Sequence, residues 1–259
     1  MIRIGITAKA AASWALAARV YAPFDPERSA RYLAAARLAW RWLDPWLQQI
    51  FDFRAGDDSG SGPYMANAVD TESTLTHDRD DRLAAAIELY LSTGEDRYAR
   101  VVDQLLPDYQ ASIFEWKDVG TGSMTSLLWH PRASHRPAWR QQAAAKLQAR
   151  AASALKQAES SSFQFANPHI VWGSVKMTAE EGVLMLAADR LKPDPRLRRA
   201  AWQQLHFALG ANPLGQTFVT GFGAKPVQHV SHIFLRSIGR SFPGLAVGGP
   251  NEREQSNIA

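Results

Sequence analysis

The feature that most constrains this chain is its punctuation. Apolar residues recur at helical spacing over stretches of ten to twenty residues, and proline or glycine cuts one stretch from the next. Trp14, Ala17, Ala18 and Tyr21 share one face of a stretch from Ala10 to Tyr21. Pro23 and Pro26 interrupt it, and a second helix is expected from Glu27 to Leu43, with Asp25 as N-cap and Pro26 in the first turn. Asp78–Ser92 and Asp96–Leu106 make the next pair, the first ended by Thr93-Gly94 and the second by Pro107. A long Ala/Gln-rich helix is expected over Pro137–Ala158. Another runs from a Thr178–Glu181 capping box to Leu191, and a last one from Arg196 to Leu209, ended by Gly210. No alternation of strand and helix appears, which argues against a nucleotide-binding α/β fold. The reading is all-α, in pairs that can stack as a solenoid or close as an α/α toroid. No fixed repeat period marks a tetratricopeptide array.

Between the pairs the composition changes. Residues 54–76, with the string AGDDSGSGPYMAN, read as loop, residues 112–129 as mixed, and SSSFQFANPHIVWGSVK as a loop with aromatic content. Beyond Gly210 the chain is rich in glycine and proline with little helical pattern. The whole, at 259 residues with 46% hydrophobic content, is expected to form one domain spanning 1–259.

Several classes drop out on composition. There is no cysteine, so disulfide frameworks, thiolate metal sites and cysteine nucleophiles are excluded. The formal charge of +4 is not gathered in one run. Its densest cluster, Arg190, Lys192, Arg196, Arg198 and Arg199, reads as a solvated helix surface, so no nucleic-acid partner is expected. No stretch reaches the roughly 18 apolar residues of a membrane span, so no membrane partner is expected either. Charges at Arg3, Lys9 and Arg19 make the first residues a structural helix instead of a signal peptide.

Four segments, in order, resemble family 9 of the glycoside hydrolases, the cellulase-type enzymes. TAKAAASWALAARVYAPFDPERSARYLAAARLAWRWL is similar to the family's early helix hairpin. DRDDRLAAAIELYLSTGEDRY is similar to its D-E-x-x-W-A-A-x-E-L-Y-x-x-T-G segment, with Asp81 where Glu is usual and Ala84 where Trp is usual. FEWKDVGTGSM matches an aromatic-Trp-Asp-Gly pattern. The most specific are LGANPLG, VTGFG and FPGLAVGGPN. The resemblance implies an (α/α)6 barrel, a six-hairpin toroid, here incomplete. It also implies hydrolysis of β-1,4-glucan or related oligosaccharides with inversion. In that chemistry a carboxylate activates water and a carboxylic acid protonates the leaving oxygen, the two about 6.5–9.5 Å apart. The family is usually secreted or periplasmic.

The resemblance also says which residues to expect where. The family's base lies in an Asp-Ala-Gly-Asp motif ahead of the first hairpin, and no such motif occurs in the chain. Ala55-Gly56-Asp57-Asp58 comes after that hairpin and reads as a solvated turn. The family's acid is a Glu beyond P-G-L-x-V-G-G-P-N, and Glu252 and Glu254 fall too early for it. Both catalytic carboxylates are therefore expected to be absent, and the catalytic set is empty. After VTGFG the family shows Pro-His-x-Arg on the substrate, where this chain has Val230-Ser231-His232-Ile233. Substrate contacts are expected from Ser231, from the flanking His229 and His232, and from Trp116 and Trp172, whose faces suit sugar rings. Trp14, Trp40, Trp42 and Trp202 read as helix packing. No cofactor is required. The resemblance implies a structural calcium at Asp80 and Asp81, since some family members bind one at the corresponding acidic pair; Asp118 is expected as a further ligand, and hard oxygen ligands suit that ion. Glu180-Glu181 reads as the favoured acidic start of a helix.

Partners expected are a β-glucan or oligosaccharide, and copies of the chain itself through exposed helix faces. Two alternatives stand beside the hydrolase reading. One is a non-catalytic carbohydrate-binding or scaffold protein on the same barrel. The other is a different α/α-toroid enzyme using acids among Asp57, Asp58, Asp80, Asp81, Glu115 and Asp118.

Overall fold

The computed structural model describes residues 4–43, 78–114, 118–170, 173–228, 230, 233–239 and 241–250. Among them the architecture is helical: α1 (Ile4–Tyr21), α2 (Pro26–Leu43), α3 (Arg79–Thr93), α4 (Asp96–Leu105), α5 (Gly120–Trp129), a 3-10 turn at Pro131–His135, α6 (Pro137–Ser160), α7 (Ser174–Leu191), α8 (Pro195–Ala208) and the short α9 (Ile233–Ile238). Strand pairing among the described residues amounts to two isolated bridges, Thr217 with Pro226 and Val219 with Ala246. The chain divides into two compact units, residues 1–60 with 72–147 and residues 61–71 with 148–259. The division falls within α6.

In the first unit α3 is the centre. Every residue from Asp80 to Leu91 is buried. Leu83, Ile87, Leu89 and Leu91 are apolar on several sides, and Ala84–Ala86 allow neighbours to approach closely. α1, α4 and α5 pack around it. Its charged residues are held by partners, as burial demands. Arg19 of α1 pairs with Glu88 and also donates to the Glu88 carbonyl at 2.7 Å and to Ser92 Oγ at 2.8 Å. Ser126 of α5 donates to Glu88 Oε1 at 3.0 Å. Arg82 pairs with Asp78 at 2.7 Å and donates to the Leu43 carbonyl at 3.1 Å, satisfying an acceptor at the end of α2. Edge-to-face rings, Trp40 on Tyr98 and Tyr90 on Trp139, close the packing with centroids 5.3 and 4.9 Å apart.

The helix ends follow the residues expected in two places. Asp25 Oδ1 accepts from Arg28 N–H at 2.9 Å as the cap of α2. Gly94 ends α3 in the left-handed region, φ 77°, its N–H donating to Tyr90 O at 2.7 Å.

Three expectations need correcting. The Thr178–Glu181 capping box does not form: α7 starts at Ser174, Thr178 Oγ1 donates back to the Ser174 carbonyl at 2.7 Å, and Glu181 turns to Arg150. Residues 112–129 hold α5, hidden by Gly120 and Gly122. Gly120 is required there, because a Cβ would lie 2.7 Å from the Tyr109 ring. Of the four tryptophans read as packing, Trp40 is buried, but Trp14, Trp42 and Trp202 are 38%, 37% and 53% exposed. Trp202 stands one position off the buried stripe of α8 that runs through Ala201, Gln204 and Ala208.

In the second unit α7 crosses α8 closely. A Cβ at Gly182 would lie 3.2 Å from the Ala201 carbonyl oxygen, so a larger residue would force the helices apart. Phe165 stacks on Phe207 at 4.5 Å, with Phe218, Val175 and Ala208 completing a small core. Within the basic cluster Arg196 pairs with Asp194 and Arg198 with Asp189, both at 2.9 Å. No described helix is long and apolar enough to cross a membrane.

Candidate functional site

The residues expected at the sugar site divide by whether the structure describes them. Trp116, Trp172, His229, Ser231 and His232 lie outside the described residues, as do Asp57, Asp58 and Glu115. What the structure does show is how the segments that carry them are held.

The loop ahead of Trp172 is fastened from two sides. Gln204 of α8 is fully buried. Its Nε2 donates to the carbonyls of Gln164 and Ala200, and its Oε1 accepts from Ala166 N–H, all at 2.8 Å. Asn167, 2% exposed, accepts from His169 N–H at 2.9 Å and donates to the carbonyls of His169 and Ser174 at 2.9 and 3.3 Å. The loop thus trades backbone–backbone bonds for side-chain ones, as buried irregular backbone must.

The segments LGANPLG, VTGFG and FPGLAVGGP form a layered set of turns. Asn212 Nδ2 donates to Phe207 O at 2.7 Å and Gln216 O at 2.8 Å, closing the turn around Pro213. The backbone of Thr220 donates to Leu245 O at 3.0 Å and accepts from Gly244 N–H at 2.7 Å, and its hydroxyl accepts from Leu245 N–H at 3.0 Å. Val175 N–H donates to Gly248 O at 3.0 Å and Ser174 Oγ to Pro250 O at 2.6 Å, fastening this strap to the start of α7. Gly249, φ 94°, lies so close to Val175 that no Cβ fits.

The acids expected to bind calcium belong to the first unit. Asp80 Oδ2 accepts from Val119 N–H at 3.3 Å, and Asp118 Oδ1 accepts from Tyr109 OH at 2.8 Å and Gly120 N–H at 3.0 Å. Lys9 stands 3.5 Å from Asp81. Burial, and next the neighbouring Asp80 charge, push the Asp81 carboxyl up to about 8, with Lys9 opposing. Burial, reinforced by Asp118, raises the Tyr109 phenol well above its ordinary value, so it is a hydrogen-bond donor and not an anion. Among the described residues no group of three or more His, Asp or Glu is placed to hold a metal ion. As placed, Asp80, Asp81 and Asp118 do not gather into a calcium site by themselves.

Sequence reasoning missed the fastening residues Gln204 and Asn167, and it missed Arg150 meeting Glu181. Polar residues inside apolar helical stripes were the available signal for Gln204 and Glu181. Nothing in the local sequence marks Asn167.

Residues 4–257 match the sequence profile of glycosyl hydrolase family 9. Endoglucanase D of Acetivibrio thermocellus is 24% identical over 249 residues, which span 94% of this chain and 38% of that protein. Endoglucanase C of Cellulomonas fimi is 30% identical over 247 residues, 91% of this chain and 21% of its own length. The crystal structure of a metagenome-derived glycoside hydrolase family 9 endoglucanase superposes with a TM-score of 0.86 at 34% identity, covering 99% of this chain and 45% of that one. The chain thus spans less than half the length of each.

Proposed function

Because this chain belongs to glycosyl hydrolase family 9, we propose that it serves the hydrolysis of β-1,4-glucan or related oligosaccharides with inversion, and that its own residues bind the glucan without cleaving it. The observation that carries the first half is the match across residues 4–257, with a fold shared at 34% identity. Support for the second half comes from how the described acids are used. Glu88 is held by Arg19 and Ser126, and Asp118 by Tyr109 and Gly120. A general base needs a free lone pair within hydrogen-bond reach of a water, and a general acid needs a proton aimed at the leaving oxygen. Carboxyls engaged in this way are structural. The same engagement speaks against a toroid enzyme working through Asp118.

The test pairs binding with turnover. In affinity electrophoresis through β-glucan the purified chain is expected to be retarded. With carboxymethylcellulose or cello-oligosaccharides it is expected to release no reducing sugar, since positioned acid–base groups alone contribute roughly 10²–10⁴-fold to such reactions. Turnover abolished by Asp81→Asn would overturn the binding-only assignment. Absence of any glucan retardation would overturn the substrate class.

A further inference from the structure

One face of α6 carries Arg150, Ser153, Gln157 and Ser160 at i, i+3, i+7 and i+10. With Lys156 and with Glu181 of α7 they line a cavity of about 330 Å³ inside the second unit. That volume lies at the small end of ligand pockets, which run roughly 300–1,000 Å³. Among the described residues no aromatic ring lines it. Its lining mixes ionic and hydrogen-bonding side chains. Arg150 donates to Glu181 Oε1, while Glu181 Oε2, on a residue 2% exposed, has no hydrogen-bond partner. Two cations, Arg150 and Lys156, stand against one carboxylate, which leaves one positive charge on the wall.

We propose that this cavity binds a small hydroxylated monocarboxylate, of the uronic or aldonic acid class. The ligand's carboxylate balances Lys156 and the free edge of Arg150, in charge-assisted hydrogen bonds. A ligand hydroxyl donates to Gln157 Oε1 on the wall. Ser153, Gln157 and Ser160 serve the remaining hydroxyls. Each simpler ligand fails one of these requirements. Sulfate has no proton to donate at neutral pH. A neutral hexose has no charge for Lys156. A polyamine would meet two cations. The site is separate from the glucan reading and stands whether or not that reading holds.

Isothermal titration of the purified chain decides it, with D-glucuronate as probe and D-glucose and sulfate at matched ionic strength as comparisons. Glucuronate is expected to bind, with glucose and sulfate each at least about tenfold weaker, the usual worth of a charge-assisted hydrogen bond. Lys156→Glu, an exposed position whose change leaves the fold intact, is expected to weaken glucuronate at least about tenfold. Ser153→Trp, also at an exposed position, is expected to abolish binding by filling the cavity. Equal affinity for glucose would overturn the acid class, and equal affinity for sulfate would reduce the site to an adventitious anion only. No heat with glucuronate, or an unchanged affinity in Lys156→Glu, would overturn the site itself.

Discussion

Replacing Gln204 by leucine removes three hydrogen bonds and adds none. Leucine matches glutamine in size closely enough that the fully buried site neither empties nor overfills, so the cost is polar. The Ala200 carbonyl keeps its helical partner and loses little. The Gln164 carbonyl belongs to an exposed residue and can turn to water, at about 0.5–1.5 kcal/mol for the lost bond. Ala166 N–H is different: its residue is 1% exposed and Gln204 Oε1 is its acceptor, so it is left unpaired, at about 1–3 kcal/mol. Together the loss is about 2–4 kcal/mol, offset by about 1 kcal/mol of apolar burial. Urea denaturation followed by circular dichroism should show a net loss of about 1–3 kcal/mol. Gln203→Leu, one position away and partly exposed, should lose less than about 0.5 kcal/mol. Gln204→Glu separates the two halves of the argument. Its carboxylate still accepts from Ala166 but donates nothing, and protonation restores a donor. Burial raises a carboxyl's pKa, so the variant should be most stable in acid and lose stability as pH rises through that raised value. Equal stability of the leucine variants at 203 and 204 would refute the reasoning.

Other expectations can be checked on the same material. Glu88→Ala leaves Arg19 mostly buried without its partner and should cost about 3–5 kcal/mol in a urea titration, with Glu88→Gln milder. The folded pKa of Asp81, about 8, exceeds its ordinary value of 3.8, so the stability it contributes is full below about 4 and is lost as pH rises toward 8. In EDTA, Asp81→Asn should therefore match wild type near pH 4 and melt at a higher temperature above pH 8. Ile6, Trp14, Val20 and Leu38 are exposed on α1 and α2, and light scattering after size exclusion should show mass rising with concentration, falling back when Trp14 and Val20 become Lys.

The sequence made the helices legible where local chemistry and periodicity agreed. Asp25, Pro26 and Gly94 act at a short range that a linear reading captures. α5 escaped because Gly120 and Gly122 lower helix propensity, and the compensation, a Tyr109 ring that admits no Cβ, comes from eleven residues upstream in a loop. Glu181 was misread for a similar reason. A Thr-x-x-Glu string has the form of a cap, but the carboxylate was drawn instead to Arg150, thirty-one residues away. The motifs LGANPLG, VTGFG and FPGLAVGGPN carry the family resemblance, but their fold as layered turns is not read from them. Their partners in space, Ser174 and Val175, follow from no spacing rule. The expected sugar contacts at Trp116, Trp172, His229, Ser231 and His232 rest on motif order alone.

The enclosure of α3 has a consequence for how this protein can change over time. A helix with a wet side tolerates drift along that side, so tolerance rises and falls every three to four positions. Between Asp80 and Leu91 there is no wet side. A saturation mutagenesis profile across the segment should be flat and low, with no helical ripple. Arg82 and Glu88 should be as intolerant as the leucines, since each is tied to an atom on a neighbouring helix. Its amides should also be among the last in the first unit to exchange with deuterium, because no local fraying exposes them short of opening that unit.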